Sequence, residues 1–398
     1  MNLDIAKRDI VILSGVRTAF GTMSGSLKKL SATELAIPTA KAALERAGVA
    51  PDDVDHVIYG NVLQTSNDAI YLARHVGLRA DVPQAVPALT LNRLCGSGFQ
   101  SIVTAAEQIL TGQASVVLAG GAESMSQAPH VTYGLRDGQR FGQPPKMQDL
   151  LWECLTDTYT GNPMAITAEN LAVKYNLTRE EVDTFALTSQ QRWKAANDRG
   201  FFKNEIVDIV LKSRKGDKVF NVDEHPRESP METLAKLRPV FKKDGFVTAG
   251  NASGICDGAA SVVVADAKWA ETHNLTPIAR LVGWGVAGCD PDLMGIGPVP
   301  AAKRAFEMTG LSLDDMALIE VNEAFSPQYV AVEKELGLDR SITNIHGGAI
   351  ALGHPLGATG ARITGTLIHA LRERGEKYGL GSACIGGGQG IAVIVEAL

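Results

Sequence analysis

The chain has 398 residues, 45% of them hydrophobic and 21% charged, with a formal net charge of −6. That is enough apolar material for a large core and more than one domain, and it excludes a disordered chain or a generic nucleic-acid binder. A phosphate-bearing partner has to be held by local basic residues, because the overall field repels anions.

Met1–Asp9 mixes Asp4 and Asp9 with Lys7 and Arg8 and has no apolar stretch, so neither a secretory signal nor a transit peptide is expected. No apolar run reaches the roughly 18 residues of a membrane span. The five cysteines (95, 154, 256, 289, 384) form no CxxC pair. A soluble, reduced, cytoplasmic protein with no disulfide framework and no metal site is the expectation.

Lys41–Gly48 reads as a helix closed by a glycine cap, followed by an acidic turn at Asp52-Asp53 and a buried strand at Val57–Tyr59. Asn92-Arg-Leu-Cys95-Gly-Ser-Gly98 then places a cysteine just before an amphipathic helix, Phe99–Leu110, which leads to a strand at Val116–Leu118. A helix N-terminus stabilises a thiolate and lowers its pKa, so Cys95 is a candidate nucleophile; a buried structural cysteine is the alternative.

Residues 126–248 change character, with Gly, Pro and charge throughout and one clear helix over Thr178–Gly200, where Thr178 caps and Glu181 completes a capping box. An insertion of this length is a lid or binding loop, or else an oligomerisation arm. Gly283-Trp-Gly285-Val-Ala-Gly288 fits a dinucleotide fingerprint, but a Gly/Pro-rich run follows it instead of a helix, so that reading is rejected.

From Lys303 the earlier pattern returns. Lys303–Gly310, Asp314-Asp315 and Ile319–Val321 match the first helix, turn and strand without a gap, 262 residues further on. Gly98 and Gly360 match at the same offset, each opening a helix followed by a strand. Two homologous α/β halves with layered, largely parallel sheets are predicted. At that offset Cys95 meets Gly357, three residues beyond His354 in Asn344–Gly357. A cysteine loop and a histidine loop thus occupy equivalent ends of neighbouring sheets, the pair that nucleophilic acyl chemistry requires. Asn322 ends one strand of the second half. Ser382–Gly390 ends another with three successive glycines, a source of free N–H groups or simply a tight turn.

NRLCGSG, VNEAF, GGAIALGHP and CIGGGQG, in this order, resemble the signatures of the thiolase family over essentially the whole chain. Within it, Gln190–Asn197 and Ser124–Pro129 look like the 3-ketoacyl-CoA thiolases of fatty-acid oxidation, particularly the mitochondrial type. The resemblance implies a five-layered αβαβα core: residues 1–125 with 249–272 as one half, 273–398 as the other, and 126–248 as a loop domain for coenzyme A. It implies that Cys95 takes the acyl group, His354 activates it, and Cys384 moves the α-proton. It also implies one oxyanion hole from His354 and Asn322 through a water, and another from the N–H groups of Cys95 and Gly386. Arg227, Met164, Ala249, Ser253, Met294 and Phe325 would contact coenzyme A, which, like acetyl-CoA, is a substrate and not a resident cofactor.

The implied reaction is 3-ketoacyl-CoA cleavage by coenzyme A, reversible to condensation. An acetoacetyl-CoA-specific acetyltransferase and an inactive acyl-CoA-binding protein are the alternatives. Cys384 argues against a decarboxylating ketoacyl synthase of related fold, and a thiol near its ordinary pKa suits its proton exchange. Tyr133–Gly142 resembles the family's tetramerisation loop and implies a homotetramer, with no nucleic-acid or membrane partner. Two residues depart from the pattern. His346 stands where many relatives have Asn, which affects loop hydrogen bonding, and Pro163 stands where several acetoacetyl-type enzymes have His.

Overall fold

The computed structural model describes residues 9–398; the reading of Met1–Arg8 lies outside them. In chain order the first half supplies β1 (Ile10–Thr18), α1 (Ala32–Ala47), β2 (His56–Gly60), β3 (Ala88–Leu91), α2 (Ser97–Leu110) and β4 (Val116–Ser124). The insertion contributes α3 (Met164–Lys174) and α4 (Arg179–Asp198). The chain then returns through β5 (Cys256–Asp266), β6 (Ala279–Gly288), α5 (Pro298–Thr309), β7 (Leu318–Val321), α6 (Ser326–Leu336), α7 (Thr359–Arg374), β8 (Tyr378–Ile385) and β9 (Gln389–Ala397).

The local signals act as expected. Gly48 and Gly310 end α1 and α5 at φ of 68° and 72°, a left-handed conformation that glycine adopts without steric cost. Thr178 and Glu181 form both bonds of a capping box at the start of α4. The glycine-rich stretch Gly283–Gly288 lies inside β6, where a Cβ on Gly285 would meet the Ala301 carbonyl; its glycines serve strand–helix packing.

The strands connect in the order β7-β8-β9-β6-β1-β5-β4-β2-β3. Here the expectation of a largely parallel sheet is corrected. Along this order only β7·β8, β2·β4 and β2·β3 are parallel, while β8·β9, β9·β6, β6·β1, β1·β5 and β5·β4 are antiparallel. The parallel pairs are those joined through crossover helices. β9 returns from β8 through a hairpin, and β5 enters from the insertion running against both neighbours.

The repeat is exact in register. His56 faces Val117 and Tyr59 faces Gly120; Leu318 faces Gly379 and Val321 faces Ser382, each 262 residues on. Helices α2 and α7 pack against each other between the two halves, in a cluster that includes Phe99, Ile102, Ile363, Leu367, Val262 and Val393. Helix α1 covers the outer face of the first half, and α5 and α6 cover the second. Helix, sheet, helix pair, sheet and helix pair make five layers. At the centre a Cβ on Gly98 would lie 2.6 Å from the Ala361 nitrogen, and one on Gly360 would lie 2.1 Å from that of Phe99. The two equivalent glycines let the central helices touch at their N-terminal ends.

The insertion is anchored by a buried charge cluster. Arg17 of β1 donates to both Asp223 carboxylate oxygens (2.6 and 3.0 Å) and to Glu205, which also accepts from Thr366 of α7 at 2.8 Å. Paired and hydrogen-bonded, these charges tolerate burial that they could not tolerate singly. Among the described residues, no helix is long and apolar enough to cross a membrane.

Candidate active site

Cys95 sits half-buried in a single 3-10 turn, Leu94–Gly96, directly before α2. The preceding Leu94 adopts φ 47°, a left-handed conformation that costs a branched side chain roughly 1–2 kcal/mol. The strained turn is held locally. Asn92 Oδ1 accepts from the Leu94 amide at 2.8 Å, and the Ser97 hydroxyl accepts from Arg93 N (2.8 Å) and donates to the Leu94 carbonyl (2.7 Å). A Cβ on Gly96 would lie 2.6 Å from Ile385, so the turn packs directly against the end of β8.

That end carries Cys384, fully buried, and the turn Gly386–Gly388, which joins β8 to β9. Gly387 and Gly388 both have φ near 80°, which glycine alone supplies cheaply. The backbone amides of Gly386 and of Cys95 itself favour the charged form of the Cys95 sulfur and pull its pKa down. The glycine run is therefore a hairpin turn that also brings the Gly386 amide to bear on the Cys95 thiol.

His354 is buried, with Nδ1 2.7 Å from Thr359 Oγ1. That hydroxyl donates its one proton to the Pro355 carbonyl at 3.0 Å, so Nδ1 carries the imidazole hydrogen and Nε2 keeps a lone pair. Asn322 Nδ2 approaches Nε2 at 3.3 Å, and Asn322 Oδ1 has no protein partner. Burial, and then the Arg362 guanidinium, push the His354 pKa down to about 3, which keeps the imidazole neutral, with its Nε2 lone pair free of a proton, at ordinary pH.

The thiols behave differently from expectation. Burial pushes Cys95 up to about 11; the amides of Gly386 and Cys95 oppose this, and the charge of Glu123 adds to it. Cys384 is pushed well above its usual value, by burial first and by Cys95 next. The helix N-terminus does not win at Cys95, because the surrounding walls are apolar and the nearest charge is negative. Cys95 thus needs a base to lose its proton.

Cys95, His354 and Cys384 line one cavity of about 150 Å³ together with Met164, Ser253, Met294 and Phe325. Asn322 reaches it through His354, and Gly386 through the Cys95 sulfur. Arg227 and Ala249 lie outside it. Both are exposed, and Arg227 Nη2 donates to the Ala249 carbonyl at 2.6 Å.

The sequence reading passed over two features. The first is the rest of the insertion's apolar wall beside Pro163, namely Trp152, Leu155 and Phe241, in which Trp152 and Phe241 stack at 6.4 Å. The second is Glu123 at the end of β4. Its buried carboxylate accepts from the amides of Val62 (3.1 Å), Leu63 (3.0 Å) and Gly357 (2.9 Å) and from Asn61 Nδ2 (3.1 Å). Burial still raises its pKa to about 7. Glu123 thereby ties the His354 loop of one half to a strand of the other. A lone Glu after two glycines offers no sequence signal for this; the Trp152 wall had one, an Asp149 cap before Leu-Leu-Trp.

Family models for the thiolase N-terminal and C-terminal domains match residues 10–268 and 275–397. The chain is 58% identical over 390 residues to the mitochondrial 3-ketoacyl-CoA thiolase of Bos taurus, covering 98% of each. The crystal structure of human mitochondrial 3-ketoacyl-CoA thiolase in complex with CoA superposes with a TM-score of 0.96 at 58% identity, covering 98% of both chains. The Bacillus anthracis acetyl-CoA acetyltransferase structure also gives 0.96, at 47% identity, covering 98% of this chain and 99% of that one.

Proposed function

The chain belongs to the thiolase family, and from that premise we propose that it cleaves 3-ketoacyl-CoA with coenzyme A, giving acetyl-CoA and a shortened acyl-CoA, reversibly. The observation that carries the reading is the convergence of Cys95, the Nε2 lone pair of His354, and Cys384 on one apolar cavity.

His354 Nε2 takes the Cys95 proton as the sulfur attacks the 3-keto carbon. The amides of Cys95 and Gly386, which favour negative charge beside them, hold the oxyanion that develops on the carbonyl oxygen. The C2–C3 bond then breaks and its electron pair passes to the enolate of acetyl-CoA, which His354 and Asn322 stabilise. Cys384 protonates C2; its raised pKa keeps it a thiol, the form that this step consumes. Coenzyme A, giving its thiol proton to the Cys384 thiolate, finally displaces the acyl group from Cys95, whose sulfur recovers its proton from His354, giving ping-pong kinetics. Met164, Ser253, Met294 and Phe325 would contact the pantetheine at the cavity. Exposed Arg227, bonded to the Ala249 carbonyl, would meet the adenine and phosphates.

The identity of 58% to the ketoacyl enzyme against 47% to the acetyltransferase favours the broader substrate. The equal TM-scores keep acetoacetyl-CoA specificity as the second reading. In this proposal residues 1–125 with 249–272 and residues 273–398 are the two halves, and 126–248 is the loop domain. The exposed Tyr133, Leu135 and Phe141 in it support a homotetramer. The proposed compartment is cytoplasmic, or the matrix in a mitochondrial host, as the names of the mammalian relatives support. Incubation with acetyl-CoA is expected to add one acetyl group at Cys95, read by peptide mass spectrometry; acetylation confined to Cys384 rejects the mechanism.

A further inference from the structure

A second concavity, of about 480 Å³, lies against the other face of α4 and shares no lining residue with the catalytic cavity or with the hollow beside Arg227. Three segments meet there: Arg192 of α4 and Arg199 at its C-terminal cap, His346 from the loop that carries His354, and Glu373 with Arg374 at the end of α7. In a chain of net charge −6, three guanidiniums face a single carboxylate. That carboxylate is already engaged, since Arg199 Nη1 donates to Glu373 at 2.6 Å. Arg192 is fixed by the carbonyls of Thr343 (2.6 Å) and Arg340 (2.7 Å), which hold its geometry without neutralising its charge. Among the described residues no carboxylate pairs with Arg192 or Arg374.

His346 is the second, independent sign. It is only 3% exposed and stacks on Phe201 at 3.8 Å. Its Nε2 accepts from Arg199 Nη2 at 2.5 Å, so the hydrogen is on Nδ1, and that buried donor has no partner. Burial and the three arginines keep the ring neutral, with a pKa near 3. The site thus holds one unpartnered buried donor and two guanidiniums, Arg192 and Arg374, without a direct ion pair, set between the insertion and the catalytic loop; buried Glu320 lies within electrostatic reach of Arg192.

We propose that this concavity binds a compact dianion with phosphate-type oxygens, held by Arg192, Arg199 and Arg374 over the His346 ring. Guanidinium N–H groups are strong donors to such oxygens, and two guanidiniums without a direct ion pair favour a dianion. The volume leaves room for the organic part of a phosphomonoester. Such a ligand would brace α4 against the loop that ends in His354, eight residues beyond His346.

The experiment is calorimetric titration of the full-length protein and its Arg374→Gln variant with inorganic phosphate and with glycerol 3-phosphate, in the presence and absence of saturating coenzyme A. Arg374 is exposed at a helix end, so the variant is expected to fold and to keep the turnover of the parent. The expected result is one saturable site per chain that is insensitive to coenzyme A and weakened about tenfold or more in the variant. Tighter binding of glycerol 3-phosphate assigns the rest of the cavity to the ester group, and equal binding assigns the site to phosphate alone. No saturable binding of either probe, equal affinity in the two proteins, or displacement by coenzyme A overturns the proposal.

Discussion

The two halves of the molecule agree in strand register, helix caps and the glycines at which α2 and α7 meet, yet their pre-helix loops differ in every functional respect. In the first half the loop is short, carries strain at Leu94, and presents a sulfur whose proton is hard to remove. In the second it is longer, bonded through Thr359, Glu123 and Asn322, and presents a base that stays neutral. Duplication supplies a symmetrical frame; the acyl chemistry proposed here needs an acid and a base that are different. The frame places the loops, and departures from the repeat assign the roles.

The strongest test of that division is chemical. Cys95→Ala is expected to lower turnover on the order of 10⁴-fold or more while coenzyme A binding survives. Cys384→Ala is expected to keep acetylation at Cys95 but to slow exchange of the acetyl-CoA methyl protons with deuterium by about 10²- to 10⁴-fold. Unchanged exchange would pass the α-proton to another group. Because the Cys95 thiol is raised, its alkylation by iodoacetamide in the free enzyme should climb with pH through pH 9 without levelling off; a plateau near pH 7 would restore the lowered thiol expected from the helix alone.

Frame positions should instead respond alike in both halves. Gly98→Ala and Gly360→Ala each force a methyl into the backbone of the opposing helix. Each is expected to cost about 1–3 kcal/mol or more in denaturant unfolding, and similar values for the pair would mark them as one symmetrical contact. A large loss at one and none at the other would break the comparison. The smallest effect concerns Pro163 in the cavity wall. Pro163→His makes that wall more polar, and each methylene of a longer acyl chain, worth about 0.8 kcal/mol or roughly fourfold in kcat/KM, should count for less. Identical chain-length profiles would remove Pro163 from the specificity question.

Much of this was legible in the residues. The repeat could be read from Lys41 and Lys303 and from Gly98 and Gly360, and the cap of α4 from Thr178 and Glu181, because each is a local pattern with a single physical meaning. Strand direction was not legible: the apolar runs of β5 and β9 look the same whichever way they pair. Nor was the raised thiol, since the residues that desolvate Cys95 come from segments as far apart as Met125, Ile255 and Leu356. Leu94 gave no warning of its left-handed conformation, because Leu, unlike Gly or Asn, is not a residue that advertises it. Glu123 acts through four donors from two loops, which no single stretch displays.

The position of β5 has a consequence in time. It fills the gap between β1 and β4, yet residues 125–255 must be made before it exists. At synthesis rates of about 5–20 residues per second, the facing edges of β1 and β4 wait on the order of ten seconds without a partner on the ribosome. Unpaired edges of this kind recruit other chains, and β4 is entirely apolar or small until Glu123. Nascent chains arrested near residue 250 should therefore be cut readily by protease across β4, whereas arrest past residue 310, with β5 clear of the exit tunnel, should protect it. The insertion sets the interval before the first half can close.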